Sequence, residues 1–429
     1  MHWRNSGLTL NPQLYLIIGF GHQLTVNQKF FLVSYSQTKP ALPPGGRNTN
    51  TATDANAERW LPFKMIFMKL LTPIIFILLS NIGISQSFDT TKYNIKVEFS
   101  KETDKYFTND PIWRGADGAS SIDLGNGNVL WLFSDGFICR DSSKLRKRAR
   151  MISNSVAIQK GYDLKKASIK FYWDKTKTKP QAFFHTKGKF WFWSGHGVMI
   201  KNKLLIFLLK EHRTKAGIGF EASGWYAVLI SNPKDEPSKW KMKYIEGPDT
   251  YGTIAGSAAV LKDENYLYAY GAVEPNTHEV YLLRWKLDDA YIGNLAKPEW
   301  WLNGIWAERK NITPIPVPLF IGGTEYSVHY DTSLKKFIQI QAFGFGEGKI
   351  GIRVSNNLEG PWTEPYMFYT PEYPGIKKPL MYSAKAHPEL HGDGIYITYN
   401  VNSFDFAELV ENQTIYFPKF ILLKIVEKN

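Results

Sequence analysis

The sequence of 429 residues has a single cysteine, Cys139, so it can form no internal disulfide and no metal site built on cysteine pairs. It also lacks a long apolar run. The strongest, at 70–79, has about 10 strongly apolar residues against the roughly 20 that a membrane-spanning helix needs. Helical periodicity is nearly missing after residue 90, which excludes helical bundles and regularly alternating α/β architectures. No zinc-finger, helix-turn-helix or RNA-binding signature occurs, so nucleic acid is not an expected partner. Basic residues are scattered apart from "KLRKRAR" at 144–150, which reads either as a solvated loop or as a contact for an anionic polymer.

What is present begins with a leader. Residues 1–63 show no sustained periodicity, and "TKPALPPGGRNTNTATDANAE" has the composition of a disordered segment. From Met65 the chain reads "MIFMKLLTPIIFILLSNIGISQSFD", with Lys69, then the apolar stretch, then small and polar residues through Ser87. That is the order of a secretory signal peptide, with cleavage expected near Ser85–Ser87. The reading is therefore a non-functional leader over 1–64, a signal peptide over 65–86 and one domain over 87–429. It implies export to the periplasm or the extracellular space and no stable membrane span after cleavage. Seven Lys/Arg and two Asp/Glu lie within 1–85, leaving 45 basic and 37 acidic residues, a mildly basic balance near +8. A chain this long can be stable without disulfides because its core is large enough.

After residue 90, short runs rich in Val, Ile, Tyr, Phe and Trp alternate with Gly, Asn, Asp and Pro. Five runs share one pattern of strand, polar turn and apolar strand: "SSIDLGNGNVLWLFSD", "GHGVMIKNKLLIFLLKE", "SAAVLKDENYLYAYGA", "SVHYDTSLKKFIQIQA" and "AHPELHGDGIYITYNV". Their second strands start near 129, 204, 266, 337 and 395, and each is followed by a third strand and often by a Trp- or Tyr-bearing fourth. Four antiparallel strands in each of five units predict an all-β five-bladed β-propeller. The second strands are apolar on both faces, as packing between blades requires. "YNIKVEF" (93–99) is placed to close the ring against "KFILLKIVE" (419–427).

In that frame "GADGASSIDLGNGNVLWLFSDGF" carries Asp117 and Asp135 on the two arms of one hairpin, with Asn126 midway between them. A three-residue turn sets the aspartates directly opposite, and a two-residue Asn-Gly turn sets them diagonally. Two carboxyls at one hairpin end raise the pKa of one of them, and an acid beside a carboxylate is what glycosidic cleavage uses. The alternative role is that of turn residues capping backbone N–H groups.

This hairpin, with "MISNSVAIQ", "SNNLEGPWTEP" and the terminal "HPEL…GIYITYNVN…YFPKF", resembles the domain-of-unknown-function 4185 group. That group includes endo-D-arabinanases and is similar in architecture to arabinanase and invertase-like glycoside hydrolases. The resemblance implies that Asp117 and Asp135 form the catalytic pair of an enzyme acting on an oligo- or polysaccharide, with arabinan-type chains in view. The sequence departs from the group's Gly-Asp-Thr in reading Ser134-Asp135-Gly136. Glu325 is the reserve catalytic candidate, since invertase-like propellers use a Glu from a later blade. Asn154, Trp193, His196 and His387 are candidates for lining a sugar site; each is also a reasonable turn or core residue. No cofactor is required and no metal ligand is assigned, although a cation in the channel is compatible with the histidines. The competing class is a carbohydrate-binding propeller without catalysis. The sequence carries nothing on oligomeric state.

The leader gives the first test. Mass spectrometry of the exported protein is expected to find an N-terminus near Ser85–Ser87; a mature chain that retains residues 1–60 overturns the signal-peptide reading.

Overall fold

A computed structural model of the chain describes residues 87–428, apart from 100–102, 104, 177, 216, 218 and 310–315. The leader and signal segment expected over 1–86 lie outside the described residues.

The fold is all-β, with two short α-helices among the described residues, Leu287–Ile292 and Phe406–Glu411. Five sheets are built alike, each with an innermost strand followed outward by its successors. The first runs Ser120–Gly125, Asn128–Phe133, Ser155–Lys160, Ser168–Tyr172, and the second Trp191–Ile200, Lys203–Arg213, Phe220–Ile230, Met242–Glu246. The third starts at Thr253–Lys262, Tyr266–Val273 and Glu279–Lys286, and carries short strands outside these. The fourth is Tyr326–Asp331, Lys336–Phe343, Lys349–Ser355, Tyr366–Tyr369. The fifth is Pro379–His387, Ile395–Ser403, Lys419–Glu427, and its outer place is taken by Tyr93–Glu98 from the other end of the chain. That pairing, Tyr93 opposite Glu427 through Glu98 opposite Leu422, is the one expected from the terminal segments. A smaller sheet of Trp113–Ala116, Gly136–Cys139 and Ala149–Ile152 extends the ends of the first hairpin.

The apolar second strands explain the arrangement. In Lys203–Arg213, Leu204, Ile206 and Leu208 join a core shared with the first sheet. Their alternates Leu205, Phe207 and Leu209 join a core shared with the third. Successive side chains of a strand point to opposite faces, so this strand has no solvent face. Leu130 and Leu132 likewise pack toward the second sheet, and Val129, Trp131 and Phe133 toward the fifth. Two further cores join the third sheet to the fourth and the fourth to the fifth. Each of the five larger sheets is thus buried against two neighbours in cyclic order. Each fully buried Leu, Ile or Phe contributes roughly 1.5–3 kcal/mol.

The basic run at 144–150 departs from a solvated loop at one residue. Arg146 is 1% exposed, and its guanidinium donates to the carbonyls of Arg114 (2.8 Å), Leu409 (2.9 Å), Asn412 (2.7 Å) and Ile415. It thereby ties the small sheet to the end of helix Phe406–Glu411. Arg148, by contrast, is an exposed partner of Asp141 at 2.6 Å. Arg146→Met strands several buried carbonyls, each costing about 1–3 kcal/mol, and is expected to lower stability by at least about 3 kcal/mol in chemical denaturation. Arg148→Met is expected to stay within about 0.5 kcal/mol of the parent.

Candidate active site

The first hairpin turns at Asn126 (φ +54°) and Gly127 (φ +76°), with Gly125 opposite Asn128. This is the two-residue Asn-Gly turn. The register then shifts by one residue between Asp123 and Gly125, so that Asp123 faces Val129 and Ser120 faces Leu132. A bulge of this kind changes which residues stand opposite. The backbone N–H of Asp117 donates to the carbonyl of Asp135 (3.1 Å), and the N–H of Ser134 to that of Asp117 (2.9 Å). The two aspartates therefore meet where the strands end. Gly118 follows at φ +89°, and a Cβ there would come within 3.0 Å of the Ser134 nitrogen. The chain can bend sharply after Asp117 because that residue is glycine.

Asp117 is 1% exposed. Its Oδ2 accepts from the Tyr382 hydroxyl (2.8 Å) and lies 3.1 Å from that of Tyr416, while its Oδ1 has no hydrogen-bond partner. Burial, followed by the charges of Asp135 and Glu325, holds this carboxyl well above the usual range, against the two phenols. Asp135 is half-buried and accepts from the Trp193 indole N–H at 2.9 Å. Burial pushes its carboxyl up to about 7, against that bond.

Asp117, Trp193 and Glu325 share the wall of a cavity of about 30 Å³ with Ser134, Thr324 and Lys385. That is room for about one water molecule. Glu325 immediately precedes the innermost strand of the fourth sheet, and its Oε1 lies 3.3 Å from the Lys385 ammonium. The structure thus brings Asp117, Asp135, Trp193 and Glu325 together.

The other candidates lie elsewhere. Asn154 is fully buried, and its amide is spent on the backbone: Nδ2 donates to the carbonyls of Phe184 and Phe192 (both 2.9 Å), and Oδ1 accepts from the Phe184 N–H (2.7 Å). It braces the entry to the second sheet and has nothing to offer a sugar. Neither His196 nor His387 lines this cavity: His196 lines the wider channel beyond it, and His387 is buried beside Ser121. His196 accepts the Val260 N–H on Nδ1 (3.0 Å), so its Nε2 donates to the Ser121 carbonyl (3.1 Å). His387 is held between the hydroxyls of Ser121 (2.5 Å) and Thr398 (2.7 Å). Burial lowers both imidazoles, His196 to about 4. Among the described residues no group of three or more His, Cys, Asp or Glu is arranged to hold a metal ion, and no helix is long and apolar enough to cross a membrane.

Four residues escaped the sequence reading. Tyr382 and Tyr416 hold Asp117, and Lys385 holds Glu325. Glu211, at the end of "LLIFLLKE", is 2% exposed and is pushed up to about 8 by burial, then by the charges of Glu274 and Asp135. The visible signal for Lys385 and Glu211 was a charged residue inside or ending a strand that is otherwise buried.

Fold and site together define an all-β protein whose sheets surround a channel with an acid-lined cavity at one end. The chain belongs to the family named domain of unknown function DUF5005, whose profile matches residues 100–425; its likeness to the 4185 group remains a resemblance in motifs. No curated protein matches the sequence. Among solved structures it is similar to a protein of Bacteroides ovatus to which a hydrolase activity is ascribed, with TM-score 0.62 and 16% identity over 77% of this chain and 90% of that one. At this identity the likeness concerns the fold. It is also similar to an α-L-arabinofuranosidase of Podospora anserina (TM-score 0.42, 11% identity, 75% and 93% coverage). An endo-arabinase of Bacteroides thetaiotaomicron is a further neighbour (0.39, 14%, 73% and 94%).

The raised carboxyl of Asp135 has a signed consequence. Between its ordinary value near 3.8 and about 7, the unfolded chain releases this proton while the folded chain keeps it, so folding loses stability as pH rises through that window. Asp135→Asn removes the term. Relative to the parent, the variant is expected to gain stability from about pH 4 to about pH 7, read as the difference in denaturation midpoints. A pH-independent difference contradicts the assignment.

Proposed function

We propose that the protein is an exported glycoside hydrolase that cleaves an oligo- or polysaccharide, with residues 87–429 forming a five-bladed β-propeller. The observation that carries the reading is the Asp117–Asp135 carboxyl pair at a small cavity that Asp117 and Glu325 both line. The five-bladed form is supported by the cyclic order of the cores and the pairing of Tyr93–Glu98 with Lys419–Glu427. Export follows from the signal-peptide pattern over 65–86.

The chemistry follows from where a proton can reside. Asp117 and Asp135 both lie above the ordinary carboxylate range, so near neutral pH the pair holds a proton for a leaving glycosidic oxygen. Glu325, ion-paired with Lys385, is the carboxylate that takes a proton from water as its oxygen bonds to the anomeric carbon. The Asp117 Oδ1 without a partner and room for about one water suit a water positioned between the two. Trp193 fixes Asp135 through its indole N–H and offers a half-buried ring beside the cavity, a surface suited to a sugar face.

A panel of neutral polysaccharides, arabinans among them, is the direct test, with reducing-sugar release as the readout. Asp117→Asn and Glu325→Gln are each expected to keep the fold and lower hydrolysis about 10²–10⁴-fold. Full activity in Asp117→Asn overturns the assignment. Binding without hydrolysis of any member by the parent favours a carbohydrate-binding protein.

A further inference from the structure

Lysine is almost never fully buried without partners. Lys385 lies in the innermost strand of the fifth sheet and is 4% exposed. Its ammonium has three protons to place, and the structure supplies three acceptors: the Gly118 carbonyl at 2.6 Å, the Ser383 hydroxyl at 2.6 Å and Glu325 Oε1 at 3.3 Å.

The backbone is shaped to put it there. The pairing of Pro379–His387 with its neighbour shifts register between Tyr382 and Lys385, and Ser383 sits at φ +58°, a region that non-glycine residues rarely adopt. In a regular strand residues three apart point to opposite faces; the bulge brings them to one side. Tyr382 therefore reaches the Asp117 carboxyl while Lys385 reaches the carbonyl of the very next residue, Gly118. The Ser383 hydroxyl, which meets the ammonium, also donates to that carbonyl at 2.9 Å. A conformation of this kind persists only where its surroundings hold it, and such sites cluster at functional centres.

The charges around Lys385 are one-sided. Toward the cavity lie Glu325 and Asp117, with Asp135 next to Asp117, Glu274 within reach of Glu325 and the Tyr382 phenol between. On the other side His196 and His387 feel its charge and are held in their neutral forms by burial. Lys385 lines both the 30 Å³ cavity and the wider channel of about 410 Å³ beyond it.

We propose that Lys385 is a positioning residue: its ammonium locks the Glu325 carboxylate to the Gly118 peptide, so that Glu325 and Asp117 keep a fixed separation across the cavity. The tie itself does not depend on the hydrolytic reading; its consequence for catalysis does.

Two readouts keep those apart. The first needs no substrate. Thermal midpoints of K385M, E325Q and K385M/E325Q form a double-mutant cycle. The loss in the double variant is expected to be at most about two thirds of the summed single losses, because each single change strands the other's charge. Additive losses overturn the proposal whatever the protein hydrolyses. If K385M does not fold, K385Q supplies the same cycle. The second readout uses whichever glycan the parent cleaves. K385M is expected to lower kcat at least about tenfold with KM within about twofold. An unchanged kcat overturns the catalytic consequence. A parent that cleaves no glycan defeats the hydrolase reading and leaves the stability cycle decisive for the tie.

Discussion

Burial of both faces of every sheet is the constraint on which the rest of this structure depends. A sheet with one apolar face can end against solvent, but one with two needs a neighbour on each side. The strand Lys203–Arg213 sends Leu204, Ile206 and Leu208 one way and Leu205, Phe207 and Leu209 the other, so neither face can be surrendered. Repeating that demand around the molecule leaves no terminal sheet, and the last gap is filled by pairing Tyr93–Glu98 with Lys419–Glu427. The aromatic residues, 15% of the chain, supply bulk at these interfaces, as where Phe207 of the second sheet meets Trp285 of the third with ring centroids 6.0 Å apart.

The same constraint creates the site. Innermost strands line a common channel, and several of them pair irregularly with their neighbours. The register shifts beside Asp123, between Ala255 and Ala259 and between Tyr382 and Lys385 all fall on hairpins that include an innermost strand. A bulge re-aims the side chains that flank it. At the Asp117 end it returns two aspartates to one place, and in the fifth sheet it turns Tyr382 and Lys385 toward them. Irregularity in these strands is therefore the means by which polar groups enter an otherwise apolar ring.

This division explains what could be read from the sequence. The repeated hairpins and their doubly apolar second strands were legible, because burial leaves a period that composition records: the strands begin at Asn128, Lys203, Tyr266, Lys336 and Ile395. The meeting of Asp117 and Asp135 was legible as well, since a single hairpin fixes it. Of the two turns compatible with the sequence, the two-residue Asn-Gly turn is the one formed, followed by a bulge. Partners from distant sheets were not legible. Nothing local to "MYSAKAHP" announces that Tyr382 and Lys385 reach Asp117 and Gly118, more than 260 residues away. Asn154 misled for the opposite reason: a polar residue in a Ser-Asn-Ser context looks available, yet three backbone bonds consume it. Arg146 misled in the same way, because a run of basic residues conceals the one whose charge is buried among carbonyls.

The carboxyl groups at this end form a linked series. Asp117 feels Asp135 and Glu325, Glu211 feels Glu274 and Asp135, and Glu274 feels Glu325. Against them stand the Lys385 ammonium and His278, whose imidazole is raised by its 2.9 Å contact with Glu274. Where carboxyls are buried, each further negative charge is poorly solvated and raises the cost of the next. Protons must therefore remain on part of the series near neutral pH, as the values of about 7 for Asp135 and about 8 for Glu211 express. Such protons belong to the series more than to any one residue. The geometry then gives each carboxyl its own surroundings: Asp117 has two phenols on one oxygen and a buried, unpartnered second oxygen, and Glu325 has its lysine. Placing acid and base within one short reach of a cavity is thus a consequence of how the ring distributes burial and its few buried cations.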